Sequence, residues 1–247
     1  MQPIRIGVVG CGAIAQVHHM PNLHDLPEHF TVTAVCDVSA GAAAYVAQKY
    51  NVPQHFTDYR DLLATDVEAV LLCQSDPKTG VAVAALDAGK HLFIEKPMCY
   101  SLGEADAIIA ARQRSGKVGQ VGYMKVYDPA YEYAKSEVDT MKNIRFVQVN
   151  HLHPNNDLHM RQFDIRRYND IPAAEMDAVR AARLAARREA IGDVPTYVEG
   201  AFHLMAGSMI HDLYGMRTML GLPSRILSSD IWFDGRAVTM TLEYPNG

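Results

Sequence analysis

Three groups of residues in this 247-residue chain have the types and spacing to do chemistry. The first is Gly10-x-Gly12-x-x-Ala15, set directly behind the apolar run Ile4-Arg5-Ile6-Gly7-Val8-Val9. A strand, a glycine turn and a helix start, in that order, aim backbone N–H groups at a pyrophosphate. Gly10 allows the tight turn, Gly12 lets the backbone come close without a Cβ, and Ala15 lets the helix lie on the sheet. Asp37 follows a second apolar run, Thr31 to Cys36, and stands 22 residues after Ala15. A carboxylate about 20 residues past the fingerprint is placed to hold an adenosine ribose. Alone, Asp37 reads equally well as a helix cap after a buried strand; with both halves present the pattern reads as dinucleotide binding. The second group is Glu95-Lys96-Pro97, where Pro97 biases Lys96 away from helix and lowers the cost of a cis bond. A half-buried lysine there exchanges a proton with a hydroxyl, unless the motif is a surface salt bridge at a strand end. The third is His211-Asp212, in which a histidine suited to proton transfer competes with a core histidine satisfied by a carbonyl.

Elements that would position these groups follow from the pattern along the chain. Runs at 67–73, 91–94 and 118–121 read as further short strands. Helices are expected at 40–50, ended by Asn51-Val52-Pro53, at 81–88, stopped by Gly89, and from a capping box at Ser101-Leu102-Gly103-Glu104 to about Arg114. Strands alternating with helices at this spacing predict a parallel, doubly wound sheet with right-handed crossovers. The first domain, 1–122, is thus a dinucleotide-binding α/β domain, and 123–247 is a second, α+β domain. In the second half, 143–153 reads as a longer strand and 154–170 shows no clear period. Residues 172–190 are helical in composition, and 200–220 read as a buried helix ended by Gly221 and Pro223. Two strands, 226–233 and 237–244, are joined by Asp234-Gly235. The turn Pro245-Asn246-Gly247 has no returning strand, which predicts a shortened chain with an exposed sheet edge.

Bulk properties narrow the function classes. With 49% apolar and 21% charged residues, the chain has the mixture of an ordinary globular protein, long enough for two modest domains. A net charge of −5 argues against a general nucleic-acid surface. No apolar segment is long enough to span a bilayer, and Met-Gln-Pro-Ile-Arg runs straight into the first strand, so a cytoplasmic chain is expected. Cys11, Cys36, Cys73 and Cys99 sit in or beside apolar runs without a C-x-x-C pair, the pattern of buried free thiols.

Taken together, Gly10-x-Gly12-x-x-Ala15, Asp37, Ala88-Gly89-Lys90-His91 with Glu95-Lys96-Pro97, and His211-Asp212 before Leu220-Gly221 resemble the Gfo/Idh/MocA family of oxidoreductases. The likeness is strong through residue 130 and patchier beyond. It implies a Rossmann domain carrying a nicotinamide dinucleotide, followed by a mostly antiparallel open sheet that covers the substrate and forms the interface of a homodimer or homotetramer. The activity implied is hydride transfer to or from a hydroxyl or carbonyl of a polyhydroxylated small molecule such as a sugar or cyclitol, with no nucleic acid and no membrane as partner. Cofactor contacts carry over to Gly10, Gly12, Ala13, Ile14, Ala15, Asp37, Ser75, Glu95 and Lys96. Lys96 and His211 become the proton-handling pair, and Tyr123, Lys125, His153 and Asp212 the substrate contacts. Asp37, with no arginine in Val38-Ser39-Ala40-Gly41, points to NAD rather than NADP.

Departures from the family pattern keep a rival alive. The family usually carries an aspartate four residues before the histidine, and Gly207 stands there. Either the substrate is held differently, or His203 or Asp212 substitutes, or the chain is a dinucleotide-sensing regulator without turnover. Gln74-Ser75-Asp76 replaces the usual Thr-Pro-Asn, and Lys78 the usual histidine. His151, His153, Asp157 and His159 have the residue types of a zinc set, but substrate hydrogen bonding or surface exposure is the reading preferred here, and no metal is expected. Arg180, Arg183, Arg187 and Arg188 form a basic stripe at helical spacing, which suits a solvated face, an acidic neighbouring subunit or a lid.

Overall fold

A computed structural model describes residues 2–75, 77–154 and 157–245. The chain divides into two compact units, Met1–Gly122 with Asn156–Ala190, and Tyr123–Asn155 with Ile191–Gly247. Asp76 and the end of the Pro245-Asn246-Gly247 turn lie outside the described residues.

In the first unit, β1 (Ile4–Val9), β2 (Phe30–Cys36), β3 (Gln54–Phe56), β4 (Ala69–Leu72), β5 (His91–Ile94) and β6 (Gly119–Val121) form one sheet in the order β3-β2-β1-β4-β5-β6. Every pairing is parallel. Side chains alternate across the sheet, so both faces need cover. Val9, Ala34, Cys36, Val70 and Leu72 enter one core, closed by α3 (Tyr59–Leu63), α4 (Thr79–Asp87) and α5 (Leu102–Ser115). Val8, Val35 and Leu71 enter the other, closed by Ala15, Met20 of α1 (Met20–His24), and Ala42 and Val46 of α2 (Ala40–Tyr50). α5 starts on the expected capping box: Glu104 N–H donates to Ser101 Oγ at 3.1 Å and Ser101 N–H to Glu104 Oε2 at 3.2 Å.

The second unit is less regular. Its helix α6 (Pro129–Thr140) starts from an Asp128 cap. Residues 143–153 are not a strand, contrary to the sequence reading. A strand persists only where a neighbour takes its N–H and C=O groups, and no ladder partner pairs with this stretch among the described residues. The short α7 (Asp157–Met160) and the basic helix α8 (Ala173–Ile191) come next in sequence, but up to Ala190 they belong to the first unit. Ser101 Oγ donates to Glu189 of α8 at 2.7 Å, within the first unit. The expected helix at 200–220 is realised as α9 (Thr196–Leu204), a π-helical turn over Met205–Met209, and α10 (Ile210–Leu220). It is mostly half-buried rather than buried, because Met216, Met219 and Leu220 line a cavity of about 390 Å³ instead of a packed sheet. A hairpin, β7 (Arg225–Trp232) against β8 (Ala237–Glu243), closes the unit as its only sheet among the described residues, so the larger open sheet is absent there. No helix among the described residues is long and apolar enough to cross a membrane.

Candidate active site

Strand order reverses between β1 and β4, and ligands of open parallel sheets bind outside the carboxyl ends of the strands at such a point. The glycine turn sits there. Gly10 has φ +97°, and a Cβ on it would stand 2.4 Å from Gln74 N and 2.7 Å from Cys73 C. Only glycine lets the turn close against the end of β4. At Gly12 nothing lies within 4 Å of the Cβ position, so the backbone there faces outward with room for a bulky anion. Ala13 and Ile14 begin the helix on the open side, and Ala15 is fully buried under it. Ser75 is exposed just past β4. Asp37, at the end of β2, accepts Cys11 N–H at 2.7 Å and Ser39 N–H at 2.8 Å. Its carboxylate is thereby oriented beside the glycine turn, which fits a ribose diol next to a pyrophosphate. The residues present therefore fit a dinucleotide.

Next along the same edge come Glu95, Lys96 and Pro97, past β5, with the Lys96–Pro97 bond cis. Sequence reasoning missed two contacts here. His19 Nε2 meets Glu95 Oε1 at 2.7 Å, and Glu95 Oε2 accepts Lys96 N–H at 3.0 Å. Burial pushes the Glu95 carboxyl up, but the His19 hydrogen bond and charge, aided by Lys96, outweigh it and hold it below its ordinary value. The buried Lys78 donates from Nζ to Pro97 O at 2.9 Å and so ties the start of α4 to the turn. The signal for it was the unusual residue type at that position.

The Glu95 shift carries a sign. A carboxyl whose folded value lies below its unfolded one, about 4.3, contributes stability above that unfolded value and loses it as pH falls through the folded value. Glu95→Gln should therefore be destabilising at neutral pH, with a gap to the unmodified protein that closes in acid. Denaturant unfolding at the two pH values checks this.

Cysteines do not join the chemistry. All four are free. Burial first, then Asp37, Asp58 and Asp61, pushes the Cys36 thiol up to about 12, and burial likewise raises Cys11 and Cys73.

In the second unit the predicted substrate residues gather around α10. Tyr214 is the hub: its hydroxyl accepts Lys125 N–H at 3.2 Å and lies 2.8 Å from His211 Nδ1, while its ring centroid lies 4.4 Å from that of Tyr123. When the Tyr214 hydroxyl donates its hydrogen bond to Nδ1, the ring proton of His211 sits on Nε2. Asp212 Oδ2 meets His151 Nδ1 at 2.5 Å, and His151 Nε2 meets Ser208 Oγ at 2.7 Å. The His153 ring stacks on His151 at 6.0 Å. Ser208 was assigned no role from sequence and His151 was not paired with Asp212, because a helix turn and an irregular segment bring them together. Lys125, His211 and Asp212 also line the cavity. His203 is on α9, one helix earlier. Among the described residues, no group of three or more His, Cys, Asp or Glu side chains is arranged to hold a metal ion.

Comparison with known proteins bears on the first unit. The family described as an oxidoreductase family with an NAD-binding Rossmann fold matches residues 4–123. Inositol 2-dehydrogenase of Salmonella typhimurium is 36% identical over 141 residues, covering 56% of this chain and 42% of that enzyme. The apo scyllo-inositol dehydrogenase of Lactobacillus casei superposes with a TM-score of 0.53 at 27% identity, covering 56% of this chain and 41% of that one. A 3-ketoreductase variant from Actinomadura kijaniata, solved with TDP-benzene and NADP, gives 0.52 at 27%, covering 56% and 42%. In each case the match spans about two-fifths of the relative's length. Residues 4–123 thus match the Gfo/Idh/MocA oxidoreductase family model and its NAD-binding Rossmann fold.

Proposed function

We propose that the chain is an NAD-dependent dehydrogenase acting on a CH–OH group of a cyclitol, sugar or related polyhydroxylated molecule. The observation that carries the reading is the alignment of the glycine turn, Asp37 and Glu95-Lys96-Pro97 along one carboxyl edge of a parallel sheet. When bound, the nicotinamide supplies the hydride acceptor or donor. The glycine turn faces the pyrophosphate, and Asp37 takes the ribose hydroxyls. Lys96 handles the proton of the reacting hydroxyl and stabilises negative charge on its oxygen. His211, oriented by Tyr214, is the second proton-handling group, and Tyr123, Lys125, His153 and Asp212 hold the substrate's other hydroxyls. With glycine at 207, Asp212 supplies the nearby carboxylate on α10, held by His151. NAD-dependent absorbance at 340 nm across a panel of inositols and sugars tests the reading. NADH binding without turnover on any of them favours the dinucleotide-sensing alternative that Gly207 leaves open.

Cofactor choice follows from Asp37, whose charge repels a 2′-phosphate while its oxygens accept ribose hydroxyls. NADH should bind more tightly than NADPH, and Asp37→Ser should reduce the preference about tenfold. Fluorescence titration reads both, and equal or tighter NADPH binding by the unmodified protein overturns the choice. A homodimer or homotetramer built through the second unit belongs to the same proposal, and light scattering measures it.

A further inference from the structure

Residues 161–170, between α7 and α8, form no helix or strand, yet they are fastened to the first unit along their length. Gln16 holds the backbone of residue 166 in both directions: its Nε2 donates to Arg166 O at 3.0 Å, and Arg166 N–H donates to its Oε1 at 2.9 Å. The same amide donates to Cys11 O at 2.8 Å, so one buried side chain links the glycine turn to the strap. The Phe163 ring lies 6.4 Å from that of His18. Tyr168 lies so close to the start of α2 that a Cβ on Gly41 would come within 2.5 Å of its ring, and its ring centroid is 6.3 Å from that of Tyr45.

The strap ends on a carboxylate. Asp170 Oδ1 accepts the Ser39 hydroxyl at 2.5 Å, and Oδ2 accepts Gly41 N–H at 2.7 Å. Those same two bonds hold the Asp170 carboxyl below its ordinary value, so it is ionised at neutral pH. Ser39 N–H goes to Asp37 at 2.8 Å, and Ala42 N–H to Ser39 Oγ at 3.0 Å. The donors at the turn from β2 into α2 are thus directed at two carboxylates and a serine hydroxyl. In a dinucleotide-binding fold of this topology, that turn faces the 2′ oxygen of the adenosine ribose. A 2′-phosphate needs donors and positive charge at that point.

We propose that Asp170 is a second determinant of cofactor choice, acting with Asp37 to exclude a 2′-phosphate, and that residues 163–170 form one wall of the adenosine site. The inference rests on the dinucleotide reading of the first unit. It concerns a segment beyond the matched residues 4–123. Arg166 and Arg167 are the opposing charges on the strap. Arg166 pairs with Asp164 at 3.5 Å, and Arg167 is exposed. Asp170 outweighs them because it occupies the hydroxyl and amide donors that a phosphate would use.

The test is fluorescence titration of NADH and NADPH into the full chain, unmodified and as Asp170→Asn, Asp170→Ala and Asp37→Ser. Asp170→Asn keeps the side chain's shape and removes its charge, so the strap stays seated, and retained NADH binding reports an intact fold. NADPH should bind about tenfold more tightly to Asp170→Asn, the scale of removing one like charge at short range. NADH affinity should stay within about twofold, since the ribose diol keeps Asp37. Asp170→Ala should move in the same direction. If Asp37→Ser relaxes the preference while both Asp170 variants leave NADPH affinity unchanged, the Asp170 inference fails and the NAD reading stands. Weaker NADPH binding in Asp170→Asn also overturns the inference. If the unmodified chain binds neither dinucleotide, the underlying reading fails and the inference falls with it.

Discussion

Replacing Lys96 with methionine is expected to lower turnover at least ~100-fold, within the 10²–10⁴ range that a positioned acid–base group contributes, while NADH affinity barely changes. Methionine keeps much of the side chain's length and removes its charge. The surroundings favour a kinetic effect over a folding one. The two oxygens of Glu95 face His19 Nε2 and the Lys96 backbone N–H, so the carboxylate keeps both hydrogen bonds when the Lys96 charge is removed. Lys78 anchors the turn through Pro97 O. The loss should therefore fall on kcat, where a charge that meets a developing alkoxide is felt. His211→Ala should reduce kcat by a similar order, without the loss of NADH affinity that would mark a cofactor ligand. Steady-state kinetics on whichever cyclitol or sugar the panel identifies, alongside NADH titration, decides the matter. Near-full activity in both variants would remove the two residues from the mechanism.

The glycine pair should respond in opposite ways to the same small change. Gly10→Ala places a methyl 2.4 Å from Gln74 N at a φ of +97°. Left-handed strain costs roughly 1–2 kcal/mol and overpacking roughly 1–3 kcal/mol. Together they should lower the melting temperature by about 4–20 °C in a chain of this size and abolish NADH binding. Gly12→Ala meets no protein atom within 4 Å. It should melt within about 1–2 °C of the unmodified protein, yet bind NADH at least ~10-fold more weakly, because its methyl points to where the pyrophosphate approaches. Thermal unfolding beside NADH titration separates the two. Equal melting losses would mean that the turn is closed differently.

What was legible in the sequence was local. Ile4 to Ala15 carries its own instructions: an Ile/Val run, a glycine that alone tolerates the turn, and a small residue at the helix contact. The later strands and the Ser101–Glu104 cap are equally short-range, and the sheet followed from their alternation with helices. The position of Lys96 was legible because it follows a strand end and precedes a proline. Other features depend on partners far along the chain. Residues 143–153 have the apolar content of a strand, but strand formation is decided by a neighbour, which composition does not reveal. His19 meeting Glu95 and His151 meeting Asp212 and Ser208 are contacts across 57 to 76 residues. The stretch 161–170 is polar and aperiodic, so nothing in its own pattern marks it as bound to the nucleotide edge.

Gln16 and Arg166 share two hydrogen bonds although 150 positions separate them. During synthesis the six strands and their helices leave the ribosome before the strap exists. Roughly fifty residues must still be added, about 2–10 s at common elongation rates of about 5–20 residues per second. A tether closing so long a loop comes later than contacts between neighbouring strand–helix units. While residues 122–170 are still being added, the turn from β2 into α2 lacks its Asp170 partner. Within that unit only α8 is made after the strap, and every residue of 123–155 must be threaded out before either arrives.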